Sequence, residues 1–177
     1  MLDRSEDNRF AIWSELDRDY HFWIDRPGRT HVKTLEIHGG GDGAEYFDLS
    51  KDKKVEAGTI VIIDENSSGK LTTTKKPYDK RVAGIISGAG GVKPGVTLKQ
   101  EEVLDGQELV SLWGRVYVKA TSINGKIKPG DFLTTSQIEG YAMKATKRKK
   151  SRGSIIGKAL SSLEDKEGLV LVLIQPQ

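Results

Sequence analysis

The sequence has no cysteine in its 177 residues. Disulfides, zinc–thiolate centres and cysteine nucleophiles are therefore excluded. It has only five prolines against 20 glycines, a balance that favours tight turns and β structure. No apolar run approaches the ~18 residues a membrane helix needs. The opening MLDRSEDNRF has no apolar signal core, so an exported chain would take its signal from a longer parent or leave by another route. Net charge is small: 28 Lys and Arg against 25 Asp and Glu leave +3, which gives no reason by itself to invoke nucleic acid. There is no GxSxG elbow. The glycine-rich stretches SGAGGVKPG (87–95) and HGGGDG (38–43) match neither a P-loop nor a dinucleotide fingerprint, and are read as loops.

What the chain does have is a repeat. VEAGTIVIIDENSSGKLTT (55–73) returns as IKPGDFLTTSQIEGYAMKA (127–145). Val55 matches Ile127, Gly58 matches Gly130, Ile60 matches Phe132 and Val61 matches Leu133; Gly69 then matches Gly140, one residue out of step. Ala-Gly or Pro-Gly launches a strand, and TIVII and DFLTT are strand-like runs. ENSSG and QIEG are turn chemistry, so each copy begins with a hairpin. A charged loop follows (KKPYDKR, then KRKKSRG), and then an apolar strand holding a glycine, VAGII or IIGKAL. The copies span 55–87 and 127–160. Two similar units are expected to bury their apolar faces against each other.

Between the copies, RVYVKAT alternates, with Val116 and Val118 on one face and Arg115, Tyr117 and Lys119 on the other. Gly114 marks a bulge or bend. GLVLVLIQ (168–175) is apolar on both faces and reads as a central strand. Residues 1–38 differ in character. RFAIWSE, YHFWID and THVKTLEI read as three strands joined by turns. A helical reading competes for the first part, since Phe10, Trp13, Tyr20 and Ile24 share a helical face; the density of aromatics and the hairpin signal RPGR favour strands. The expected architecture is all-β: an N-terminal β-hairpin segment (1–38), a glycine-rich hinge and acidic stretch (39–54), and a pseudo-duplicated β-barrel or clip (55–177).

Candidate chemistry is sparse. Asp42, Glu45, Asp48 and Asp52 gather in GDGAEYFDLSKD; paired carboxylates can do acid–base work if one is desolvated, or simply cap turns. His21, His31 and His38 have spacings that match no compact metal motif, so no metal and no cofactor is expected. The basic run KATKRKKSR (144–152) has no interleaved aromatics and reads as a solvated hairpin loop, with a glycan or anionic polymer as the ligand it would hold.

The stretch from GGGDGAEYFDLSKD to YDKRVAGIISGAGG resembles a C-terminal β-domain of repetitive bacterial surface proteins and phage-associated fibres. The likeness is carried by Ala44, Glu45, Phe47, Gly58, Thr59, Tyr78, Asp79 and Val82 to Ser87, then by GRVYVKAT and IKPGDFLTT, over residues 32–175. It departs at Gly43, which stands between Asp42 and Ala44. More remotely, Ala44–Phe47 is similar to the self-cleaving intramolecular-chaperone domain of phage neck appendages and tail spikes. The resemblance implies a structural role: trimerisation and capping at the end of a surface or virion fibre, in a homotrimer, with a longer fibre upstream and neither nucleic acid nor membrane as partner. Strands from three chains would then bury Phe10, Trp13, Phe22 and Trp23 together, at ~4–6 kcal/mol per ring before entropy costs. The alternatives are self-cleavage, an autoproteolytic activity using Asp42, Glu45 or Asp48 near residues 39–52, and a binding module for a glycan or anionic polymer.

Overall fold

Twelve glycines adopt left-handed backbone angles, and they punctuate a chain whose regular structure is almost wholly β-strand. The computed structural model describes residues 2–4, 10–50 and 55–174; Asp52 and the end of GLVLVLIQ lie outside them. The chain divides into two units, Met1–His38 and Gly39–Gln177.

The first unit is a four-stranded antiparallel sheet in the order β1 (Leu2–Arg4), β2 (Phe10–Ser14), β3 (Asp19–Ile24) and β4 (Thr30–Val32). The strand reading of the aromatic segment is correct and the helical one is not. Pairing slips by one residue between Ile12 and Trp13, leaving His21 as a bulge. The bulge keeps Tyr20 on the same face as Trp13 despite the change of parity.

The second unit contains β5 (Asp42–Phe47), β6 (Ile60–Ile63), β7 (Leu71–Thr72), β8 (Val82–Ile86), β9 (Pro94–Leu98), β10 (Glu108–Thr121), β11 (Phe132–Thr135), β12 (Ala142–Lys144), β13 (Ile155–Ala159) and β14 (Glu167–Ile174). A single helical turn, α1 (Arg148–Ser151), sits in the loop before β13. Strands β10, β12, β11, β13 and β14 close into a five-stranded barrel, sealed by the parallel pair β10–β12.

The first copy repeats this arrangement. Strands β5, β10, β8, β6 and β7 follow one another. The ring closes through a parallel bridge from Leu49 to Leu71, with the Ser50 N–H donating to the Leu71 carbonyl at 2.9 Å. The correspondence reaches single residues. Val61 pairs with Gly84 and a bulge follows; Leu133 pairs with Gly157 and a bulge follows. The Gly58 N–H donates to the Ile86 carbonyl, as the Gly130 N–H does to that of Ala159, both at 2.8 Å. Gly58 and Gly130 have φ of 85° and 90°, and Gly69 and Gly140 have 75° and 74°. The duplication is thus one of backbone geometry, and it extends backward to include β5 and the second half of β10.

The 14-residue β10 belongs to both rings. Its first half pairs with β5 and β8, its second with β14 and β12. It turns from one to the other at Gly114, whose φ of 97° is disfavoured for any residue with a side chain. Val116, Val118 and Ala120 point into the second barrel with Leu133, Ile156, Val170 and Val172, and are joined there by Ile60 and Ile85 of the first copy. The smaller cluster of Val61, Leu71, Ile86 and Val110 fills the first. Each copy therefore does bury part of its apolar face against its twin. Strand β14 lies between β13 and β10, but its burial alternates and Leu169 is 43% exposed, because a barrel strand has one inner face.

The glycine-rich stretches are packed at particular positions, while Gly39 and Gly91 have open space around them. A Cβ at Gly40 would fall 2.0 Å from the Gly95 Cα, and one at Gly90 would fall 2.4 Å from the Tyr117 ring. Part of SGAGGVKPG is strand β9, which runs parallel to β5. Pro94 begins it, where a missing N–H costs no ladder hydrogen bond.

Candidate functional site

In the first unit, strand parity sorts the aromatic residues predicted to form one interface onto two faces of the sheet. Ala11, Trp13, Tyr20, Trp23 and His31 share one face, by register. There Trp13 meets Tyr20 edge-on at 4.9 Å, and His31 stacks on Trp23 at 4.7 Å with the rings 3° apart. Phe10, Ile12, Phe22, Ile24 and Val32 share the other, with Phe10 edge-on to Phe22 at 6.1 Å. Phe10 is 49% exposed and Ile12 45%. Ala11 is the only fully buried residue of this unit among those described.

The histidines do not converge. His21 lies 2.7 Å from Asp17, His31 3.1 Å from Asp25, and His38 3.6 Å from Glu36.

In the second unit, the predicted acidic group separates. Asp42 opens β5 and is 3% exposed, while Glu45 and Asp48 are half-buried. Three positions along an extended strand put Asp42 and Glu45 on opposite faces, so they make no carboxylate pair. The partners of Asp42 are instead two hydroxyls. Ser87 donates to its Oδ2 at 2.9 Å, and Ser111 donates to the same oxygen. Its Oδ1 is buried without a hydrogen-bond partner. Trp113 lies across neighbouring Gly43, where a Cβ would come within 2.0 Å of the indole. Ser87 and Ser111 stand 45 and 69 residues from Asp42, and no local spacing marks them as its partners.

A second polar cluster surrounds Tyr78, whose φ of 57° is left-handed. Its buried hydroxyl accepts from the Thr146 N–H at 3.0 Å, the Lys147 N–H at 3.1 Å and Asn124 Nδ2 at 3.4 Å. Burial alone pushes the phenol up, but these donors outweigh it and hold it below the usual phenol range. Tyr78→Phe should therefore leave two backbone donors without their acceptor. The expected loss is about 1–3 kcal/mol of unfolding free energy, read from urea melts, with the secondary structure unchanged.

No protein-family model matches the chain, and no curated protein matches it. Among solved structures, the pre-mature bacteriophage phi29 gene product 12 superposes on 88% of this chain with a TM-score of 0.58 and 16% sequence identity. The chain spans 24% of that protein's length. What is common at that identity is the all-β fold.

Proposed function

We propose that the chain is an assembly and capping domain at the end of a surface or virion fibre, acting as a homotrimer. One observation carries this reading: the first unit leaves its aromatic strands almost without a core. The described part of this unit buries one residue fully, Ala11, and has no cysteine to staple it, so its aromatic strands need apolar cover from elsewhere. Association is the remedy its surface offers, through Phe10, Ile12, Phe22 and Val32 on one face. The sequence resemblance to fibre-terminal domains supplies the number three. The fold likeness to a bacteriophage protein supports a virion setting.

A double substitution tests the reading. Phe10→Glu with Phe22→Glu puts like charges on that face of each copy. The oligomer is expected to fall to monomers in light scattering while the barrel unit keeps its thermal transition. An unchanged oligomer would count against this face.

A second reading, self-cleavage, is favoured by the buried Asp42 with its two serine hydroxyls. It requires a chain cut between residues 39 and 52, and Ser111→Ala or Asp42→Asn should then restore full-length mass. A wild-type chain that stays intact on prolonged incubation removes it.

A further inference from the structure

The loop between β12 and β13 holds Lys147, Arg148, Lys149, Lys150 and Arg152, all exposed. None of the five has a carboxylate within 4.0 Å among the described residues. Lys144, at the start of the run, lies 2.8 Å from Asp131; Lys76, Lys80 and Lys128 of the same unit also lack a carboxylate partner among the described residues, and what sets the loop apart is five cations in six positions. With 25 Asp and Glu in the chain, counter-charges are not scarce. Concentrated like charge repels itself, so a cluster left without internal partners suits an external polyanion.

A cavity of about 230 Å³ opens beside this loop, and Lys147 and Lys150 line it together with Tyr78, Ile123, Asn124 and Gln137. Both ends of the loop are fixed. The Tyr78 hydroxyl holds the Thr146 and Lys147 N–H groups. Ser154, fully buried, donates to the Lys150 carbonyl at 3.0 Å and lies 3.3 Å from Thr134 in the barrel. The lysines therefore stand on a scaffold set before any ligand arrives, which lowers the ordering cost of binding.

The lining has a mixed chemistry. Ile123 is 51% exposed and offers an apolar wall. Asn124 spends its amide N–H groups on Tyr78, the Lys144 carbonyl and Thr146; its own carbonyl oxygen has no partner among the described residues. Gln137 is exposed, and its amide has no partner among the described residues. The one aromatic ring, Tyr78, is only 7% exposed, so there is no platform on which a nucleic-acid base could stack.

We infer that this cavity and its basic loop bind an acidic saccharide. The carboxylate of one sugar unit sits between Lys147 and Lys150, its hydroxyls meet Asn124 and Gln137, and its apolar ring face lies on Ile123. Carboxylates of adjoining units run along Arg148, Lys149 and Arg152. The inference is independent of the assembly reading, since every residue it uses belongs to the barrel unit.

The test is a titration of the full chain with a labelled oligogalacturonate, its methyl-esterified counterpart and an oligo-dT of similar length. Two charge-matched variants are compared, Lys147→Gln with Lys150→Gln and Arg148→Gln with Lys149→Gln. All four residues are exposed, and equal thermal transitions would verify the fold. The acidic oligomer is expected to bind, the esterified one not. The Lys147/Lys150 pair should weaken binding by roughly tenfold to a hundredfold, and the Arg148/Lys149 pair by several-fold less. Equal losses in the two variants would overturn the cavity as the site. Tighter binding of oligo-dT would overturn the saccharide as the ligand, and absence of binding to all three would overturn the proposal outright.

Discussion

Asp79→Ala is expected to lower the unfolding free energy by about 3 kcal/mol, the cost of removing a buried carboxylate from the charged and neutral donors it satisfies. The Asp79 side chain is 1% exposed. Arg81 Nε donates to its Oδ1 at 3.0 Å and Arg81 Nη2 to its Oδ2 at 2.7 Å. The Arg81 N–H reaches Oδ1 at 3.1 Å, and the Thr74 hydroxyl reaches Oδ2 at 3.0 Å. The Asp79 N–H donates to Thr135 Oγ1 at 2.8 Å, so the same residue ties the β7–β8 loop of the first copy to β11 of the second. Alanine would leave the Thr74 hydroxyl and two Arg81 side-chain N–H groups without their acceptor, while Arg81 keeps Glu65 at 2.7 Å and the residue's own N–H keeps Thr135.

The same group sets an acid limit on stability. Above all, the Arg81 guanidinium holds the Asp79 carboxyl at about 2, against the effect of burial. A carboxyl lowered in the folded state stabilises the fold fully above its ordinary pKa, and that stabilisation is lost as pH falls through the folded value. The contribution is about 2 kcal/mol, present at about pH 5 and gone below about pH 2. Urea melts across that window should show Asp79→Asn with a shallower acid dependence than wild type. Parallel curves would contradict the assignment.

Gly157→Ala should destabilise by about 3 kcal/mol, at the upper end of overpacking costs, and by more than its counterpart Gly84→Ala. A Cβ at Gly157 would lie 2.2 Å from the Leu173 carbonyl oxygen, which is backbone held in the β13–β14 ladder. At Gly84 the nearest atom is the Val110 Cγ1 at 2.5 Å, a side chain with some room to rotate, followed by the Ser111 carbonyl at 2.7 Å. Gly43→Ala should be mildest of the three, because the Trp113 ring it meets is 52% exposed and can swing outward. Chemical denaturation of the three variants checks the order. Gly157→Ala proving as mild as Gly43→Ala would contradict the strand register assigned here.

The duplication was legible in the sequence because its constraints are local. Gly58, Gly130, Gly69 and Gly140 mark turns whose positive φ no side chain adopts easily, and the β-branched runs between them alternate or cluster as strands do. The aromatic strands β2 and β3 were legible for the same reason, whereas THVKTLEI is strand only over Thr30–Val32. What escaped was pairing at a distance. Nothing in GDGAEYF shows that it joins β10 and β9, so it read as a hinge with acidic residues, and its glycines read as freedom when Gly40 and Gly43 mark close approach. Parity along the strands was readable for β10 and equally for β2, where three positions put Phe10 and Trp13 on opposite faces, but the bulge at His21 depends on register, which only the folded sheet fixes. The hydroxyl partners of Asp42 were hidden for the same reason: Ser87 and Ser111 reach it only once β8 and β10 lie beside β5.

The central claim, that the chain assembles through its N-terminal unit, is tested most directly by the native mass of the purified protein. Light scattering and intact-mass spectrometry on one sample would read assembly and chain length together. The account predicts a particle of three intact 19.5 kDa chains. A stable monomer of full-length chain would contradict it.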